Sequence, residues 1–168
     1  GGKALDQFQK ITHVVPQWSF NDAFTEEDIR AFDERVRKNV EVSPTYTAEL
    51  KIDGLKVVLS YENGILKTAA TRGDGRVGED VTQNVRTIES IPLKLQRPVN
   101  TIVEGEIYMR KSVFNKLNSE REKKGEELFA NPRNVSAGSI RQLDPNITRA
   151  RKLDNFAYDI VMLEGREI

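Results

Sequence analysis

The chain has 168 residues, 38% hydrophobic and 31% charged, with 26 basic and 26 acidic side chains. That length supports one ordinary core, and that balance excludes a disordered chain. The neutral sum argues neither for nor against nucleic acid, because a neutral total can hide a basic face. There is no cysteine, so disulfides and thiol-ligated metals are excluded, and His13 as the single histidine excludes a multi-histidine metal site. No apolar run approaches the roughly 18 residues needed to span a bilayer. The opening GGKALDQFQK lacks a hydrophobic signal core. A cytoplasmic protein without a membrane partner is the expectation.

Residues 1–24 read as an irregular lead-in with scattered apolar anchors: Phe8, Ile11, Val14, Trp18, Phe20 and Phe24. Thr25 is a candidate N-cap, followed by Glu26, Glu27 and Asp28 where the helix dipole favours negative charge. Ile29, Phe32 and Val36 recur at helical spacing, which predicts a helix over about 25–39 with one stripe facing the core. YTAELKI, KVVLSY and ILKTAAT then read as short strands. Asn63-Gly64 between the last two is a hairpin turn, since both residues tolerate positive φ. The glycine-spaced RGDGRVGED reads as a loop, and 80–87 as a short helix. TIVEGEIYM predicts a strand over 101–109. Lys111 to Lys124 reads as a helix with Val113, Phe114 and Leu117 inward, ending near Gly125. Pro132 suits a helix start. NITRARK reads as a looser basic stretch, and FAYDIVML as a last strand over 156–163. Hairpins with interspersed helices predict an α+β domain with antiparallel sheets, without a doubly wound parallel sheet. No repeat or convincing domain boundary is present.

Four stretches could carry chemistry. ELKIDG, 49–54, read as a strand, puts Ala48, Leu50 and Ile52 on one face and Glu49, Lys51 and Asp53 on the other. Gly54 admits a close approach of backbone or ligand. A solvated charged strand face is the blander reading, and Lys-x-Asp-Gly alone is a weak signal. TRGDG, 71–75, can aim Arg72 and backbone amides at an oxyanion or at ribose hydroxyls, or can be an ordinary Asp-Gly turn. In VEGEIYM, alternation puts Glu104 and Glu106 side by side, able to bind Mg²⁺ or a sugar hydroxyl, or simply exposed. In FANPRNVSAGSIRQLDP, 129–145, helical spacing puts Arg133, Ala137 and Arg141 on one stripe, with small residues between two guanidiniums. That suits phosphates, singly or along a nucleic-acid strand. A solvated helix face is the alternative.

Taken together, the order and spacing of ELKIDG, TRGDG, the GE strand and FANPRNxxAGSxRQLDP resemble the adenylation domain of bacterial NAD-dependent DNA ligases. HVVPQWSFNDAFTEEDIRAFDERV looks like that family's stretch before the lysine. The resemblance covers nearly the whole chain, and 129–145 is its most specific part. It implies a nucleotidyltransferase fold, with 1–44 as lead-in and helix and 45–168 as nucleotide-binding core. It implies that Lys51 attacks the α-phosphate of NAD, releases nicotinamide mononucleotide and carries AMP as a phosphoramide. AMP then passes to a 5′-phosphate at a nick in double-stranded DNA, and the 3′-hydroxyl expels it, as in replication and repair. The resemblance places Glu49 near the adenine, Asp53 near the reacting lysine, and Arg72 and Glu106 at the ribose. It puts Ser19 in the segment bordering the nucleotide pocket, counts Gly54 with the nucleotide-binding residues, and gives Arg133, Arg141 and Arg151 to phosphates, including those of nicked DNA. Mg²⁺ is implied in catalysis, with no protein metal ligand assigned. Flanking carboxylates favour the charged amine at Lys51, so a cation has to offset them before attack.

Three departures accompany the resemblance. The family's N-terminal module for the nicotinamide mononucleotide half is missing, as are its oligonucleotide-binding, zinc and helix-hairpin-helix parts. No Asp-Gly-Val-Val-x-Lys-type motif follows FAYDIVML, which implies roughly the first two-thirds of an adenylation domain, inactive by itself. Gln17-Trp18-Ser19-Phe20 stands where the family has Met-Leu-Ser-Leu, which implies a bulkier wall. Two rivals remain at this level: another lysine nucleotidyltransferase such as an RNA ligase or capping enzyme, and a non-enzymatic nucleic-acid-binding module.

Overall fold

A computed structural model describes residues 8–167, so GGKALDQ at the start of the lead-in lies outside the described residues. The chain divides into two compact units. One is Trp18–Lys51; the other comprises the chain up to Gln17 and from Ile52 onward.

In the smaller unit, α1 (Glu26–Arg37) starts where the sequence indicates. Thr25 Oγ1 accepts from the Asp28 amide at 3.2 Å, and Asp28 Oδ2 accepts from the Thr25 amide at 3.0 Å, a reciprocal capping box. The Phe24 amide, with that of Thr25, donates to Asp28 Oδ2 and holds the Asp28 carboxyl below the usual carboxylate range. The expected core-facing stripe is corrected, because α1 buries none of its residues. Phe32 instead packs on Tyr46, with ring centroids 5.9 Å apart, and the Tyr46 hydroxyl donates to Asp33 at 2.7 Å.

The strand expected over 46–52 is also absent. Its alternation of apolar and charged residues finds no partner strand, and Leu50 is 81% exposed. Regular structure begins at Leu55, so alternation does not set the directions of Glu49, Lys51 and Asp53.

The larger unit holds β1 (Lys10–Thr12), β2 (Leu55–Glu62), β3 (Ile65–Thr71), β4 (Val77–Glu79), α2 (Thr82–Val85), β5 (Thr101–Tyr108), α3 (Lys111–Lys123), α4 (Pro132–Ile140), α5 (Pro145–Ala150), β6 (Asp154–Leu163) and β7 (Arg166–Glu167). Five strands form an antiparallel sheet in the order β3-β2-β5-β6-β7. The β2–β3 hairpin turns at Asn63 and Gly64, with φ of 49° and 75°, as the Asn-Gly pair indicates. One face of β2, carrying Val57, Leu59 and Tyr61, packs with Leu66, Ala69, Val81, Val85, Ile107 and Ile140 into the core. Lys56, Val58 and Ser60 alternate onto the other face.

β1 pairs antiparallel with β4, Lys10 opposite Glu79, so part of the lead-in and part of the glycine loop form a second, two-stranded sheet. NITRARK contains α5 in place of the expected loose stretch. Asp144 caps it by accepting from the Asn146 amide at 2.9 Å, with Pro145 in the first turn. The buried amide of Asn84 donates to the Gln142 carbonyl at 2.7 Å and to Thr148 Oγ1 at 2.9 Å, joining α2 to this segment.

Candidate functional site

The site grows from the residue where β2 begins. Gly54 is buried, its amide donates to Glu106 Oε1 at 3.2 Å, and its carbonyl accepts from Arg133 Nε at 3.3 Å. Only glycine fits here, since a Cβ at this position would stand 2.1 Å from the Ile107 carbonyl oxygen. Arg133 Nε also lies 3.5 Å from Asp53 Oδ1, with both side chains mostly exposed. Asp53, Gly54, Glu106 and Arg133 therefore converge at the start of β2, three residues along the chain from Lys51.

Arg72 follows β3. Its carbonyl lies 3.1 Å from His13 Nε2, the hydrogen bond made by the Nε2–H tautomer. Its own Nε is buried with no hydrogen-bond partner among the described residues. The turn that follows is built around Asp74, whose Oδ1 accepts from the amides of Val77 and Arg76 at 2.8 Å each. Those bonds, Val77 first, hold the Asp74 carboxyl below the usual range. The blander reading of TRGDG as an Asp-Gly turn is thus correct for the backbone, since the Arg72 carbonyl accepts from the Gly75 amide at 3.1 Å, while the Arg72 side chain keeps its unsatisfied Nε.

On β5, Glu104 and Glu106 do share a face, but Glu104 is not exposed. Lys56 Nζ lies 2.6 Å from Glu104 Oε2, and the two side chains are 15% and 8% exposed. Lys56 stands opposite Glu106 in the β2–β5 register. Tyr158 faces the same carboxylates. Burial first, then Glu104, Glu106 and Asp159, push its phenol well above the ordinary tyrosine value.

The expected arginine stripe is divided. α4 ends at Ile140, so Arg141 is its C-cap, outside the regular helical stripe. Its Nε donates to Glu79 Oε2 at 2.9 Å, and the Glu79 side chain is only 1% exposed. The Glu79 amide in turn donates to Thr71 Oγ1 at 3.0 Å, one residue before Arg72. Arg151 caps α5 with its guanidinium 5.3 Å from the Phe129 ring centroid. Within Trp18–Lys51, the Lys51 ammonium lies 5.5 Å from the Phe20 ring centroid, and Ser19, Glu49 and Lys51 are exposed.

Sequence reasoning missed Lys56, Glu79 and Tyr158. Lys56 and Glu79 need strand register, which no local pattern supplies. Tyr158 is the extra residue of a bulge, since Glu104 pairs with Asp159 while Gly105 pairs with Ala157.

Comparison with known proteins gives this arrangement a class. The sequence profile of the NAD-dependent DNA ligase adenylation domain matches residues 5–168. The chain is 56% identical over 169 residues to a DNA ligase of Brevibacillus brevis, covering 100% of this chain and 25% of that protein. It is 53% identical to a DNA ligase of Shouchella clausii and 54% identical to one of Thermoanaerobacter sp., covering 100% and 99% of this chain and 25% of each relative. The chain spans about a quarter of the length of these curated relatives. It belongs to the NAD-dependent DNA ligase adenylation-domain family.

Proposed function

We propose that this chain supplies the lysine nucleophile of an NAD-dependent DNA ligase, within a nucleotidyltransferase core over 45–168 preceded by a lead-in over 1–44. The observation that carries the proposal is the convergence of Asp53, Glu106 and Arg133 on Gly54, directly after Lys51. The unsatisfied Nε of Arg72 supports it.

In the proposed reaction, Lys51 Nζ attacks the α-phosphorus of NAD. A P–N bond forms, the bond to the nicotinamide mononucleotide phosphate breaks, and the amine gives up a proton. The adenylate then passes to a 5′-phosphate at a nick in double-stranded DNA, and the 3′-hydroxyl displaces AMP. Ser19, Glu49, Gly54, Arg72 and Glu106 are assigned to the nucleoside, Asp53 to the lysine's setting. Arg133 and Arg151 are assigned to phosphates, and Arg141, bonded to the buried Glu79, to holding the strand end before Arg72. A DNA substrate makes the cytoplasm its place of work.

Mg²⁺ belongs to what the family resemblance implies. Among the described residues no three acidic or imidazole groups could hold an ion together, and Glu104 is engaged by Lys56. The residues present therefore do not fit a metal cage, and no step is routed through one.

The test replaces the matching segment of the Brevibacillus brevis ligase with this chain and supplies NAD labelled in its adenylate phosphate. Label should appear on Lys51 and vanish in Lys51→Ala. Label that persists in Lys51→Ala, or none in the unsubstituted chimera, sinks the proposal. Transfer from ATP in place of NAD would move the chain to the RNA-ligase and capping-enzyme class.

A further inference from the structure

We infer that Lys56 is a positioning residue of the nucleotide site: by neutralising Glu104 it keeps the Glu106–Arg72 end of the sheet receptive to a pyrophosphate. The inference rests on the nucleotide-binding reading above.

Four observations lead to it. First, Lys56 lies on the sheet face away from the core, opposite Glu106, and its ammonium reaches diagonally to Glu104. Second, both members of the pair are nearly buried. A buried ion pair is an expensive way to stabilise a fold, because two charges must leave water and apolar residues of the same volume would serve as well. Such a pair beside perturbed titratable groups marks a functional neighbourhood. Third, Glu106 is bonded to the Gly54 amide, so whatever sets the field around Glu106 acts at the end of the lysine motif. Fourth, Thr71 pairs with Val57, so the chain enters Arg72 alongside Lys56, and Arg72 keeps a buried donor unsatisfied.

The local charges then balance, with Lys56, Arg72 and Arg133 against Glu104, Glu106 and Asp53, the Arg133–Asp53 pair cancelling within itself. Without Lys56 the balance turns negative, and a polyanionic ligand meets two carboxylates with one guanidinium to offset them. A single charge at this range, in a partly buried site, changes anion affinity by on the order of tenfold or more.

The test has two readouts. In the chimeric ligase, Lys56→Ala should raise KM for NAD about tenfold with kcat within about twofold. The double variant Lys56→Ala/Glu104→Gln should restore KM, and Lys56→Arg should preserve it. On the chain itself, a pyrophosphate titration followed at the Arg72 side-chain Nε–H resonance should weaken about tenfold in Lys56→Ala and recover in the same double variant. A purely structural lysine would lower the denaturation midpoint, which neutralising Glu104 would recover, and would leave KM and pyrophosphate affinity at the unsubstituted values. Unchanged KM and unchanged pyrophosphate affinity in Lys56→Ala, or a double variant as impaired as the single, overturns the inference. An unlabelled Lys51 in the unsubstituted chimera overturns the ligase reading instead, and the pyrophosphate titration then decides Lys56 alone.

Discussion

Gly54→Ala tests whether the start of β2 is built as tightly as the contacts indicate. The new methyl would stand 2.1 Å from the Ile107 carbonyl oxygen, 2.9 Å from its carbon and 3.1 Å from Glu106 Cγ. That first distance falls about 0.9 Å short of the closest approach such atoms make. The obstacle is backbone of a central strand, so it cannot rotate away as a side chain would. Either β2 and β5 separate locally or the Gly54 turn lifts off the sheet, and both motions stretch the 3.2 Å bond to Glu106. Overpacking of this kind costs about 1–3 kcal/mol, and a weakened bond to a carboxylate adds to it, so about 2–3 kcal/mol is expected. With a urea slope of about 2 kcal/mol/M, the denaturation midpoint should fall by roughly 1–1.5 M. Gly138→Ala is the internal control. It makes the same chemical change inside α4, where an added Cβ meets nothing within 4 Å. Replacing glycine by alanine in a helix should there add about 0.5–1 kcal/mol and raise the midpoint. If both variants shift the midpoint in the same direction, or Gly54→Ala leaves it within about 0.2 M, the geometry argued for the site is wrong.

Asp154 should govern part of the acid limb of stability. Burial is the largest influence and pushes its carboxyl up, but bonds from Ser90, Arg110 and the Asn155 amide outweigh it and hold the group below the usual range. A depressed folded value means stability that is present above the unfolded value of about 4 and lost as pH falls through the folded one. Asp154→Asn should therefore flatten the decline below about pH 4 in a denaturation series, and an unchanged acid limb would refute the assignment. The two α4 arginines should separate by assay: Arg133→Ala should weaken pyrophosphate binding with the urea midpoint held, whereas Arg141→Ala should lower the midpoint. Equal effects on both readouts would remove the distinction.

What was legible in the sequence was local. Thr25 with its acidic first turn, Asn63-Gly64 and Pro132 each carry their own conformational reason, and the elements they start or join form there. Asp144-Pro145 carries the same kind of signal for α5. What was illegible depends on distant partners. Lys10 finds Glu79 across most of the chain's first half, and nothing in KIT or VGE announces it. ELKIDG has strand periodicity but no partner strand among the described residues, so the pattern misleads at the lysine itself. At the site, residue types were legible while pairings were not. Glu104 looked like half of a carboxylate pair, and the register gives it to Lys56.

The two arginine pairs of α4 differ in what they can give up. Arg133 meets Asp53 at 3.5 Å with both side chains mostly in water, and an exposed pair of that geometry is worth about 0–1 kcal/mol. A phosphate presenting two oxygens to the same guanidinium is a stronger partner, so an arriving anion can displace Asp53 at little cost. That exchange would also release Asp53, two residues from Lys51, at the moment phosphate arrives. Arg141 has no such freedom. Its partner Glu79 is sealed from solvent, and moving the guanidinium to a phosphate would take it from a buried carboxylate, a change that costs several kcal/mol. Glu79 is also tied through its amide to Thr71, so the Arg141 pair holds the strand end from which Arg72 emerges. The sequence presents the two arginines as equivalent members of one stripe. The structure makes Arg133 the one able to change partners and Arg141 the one that holds Arg72's approach in place.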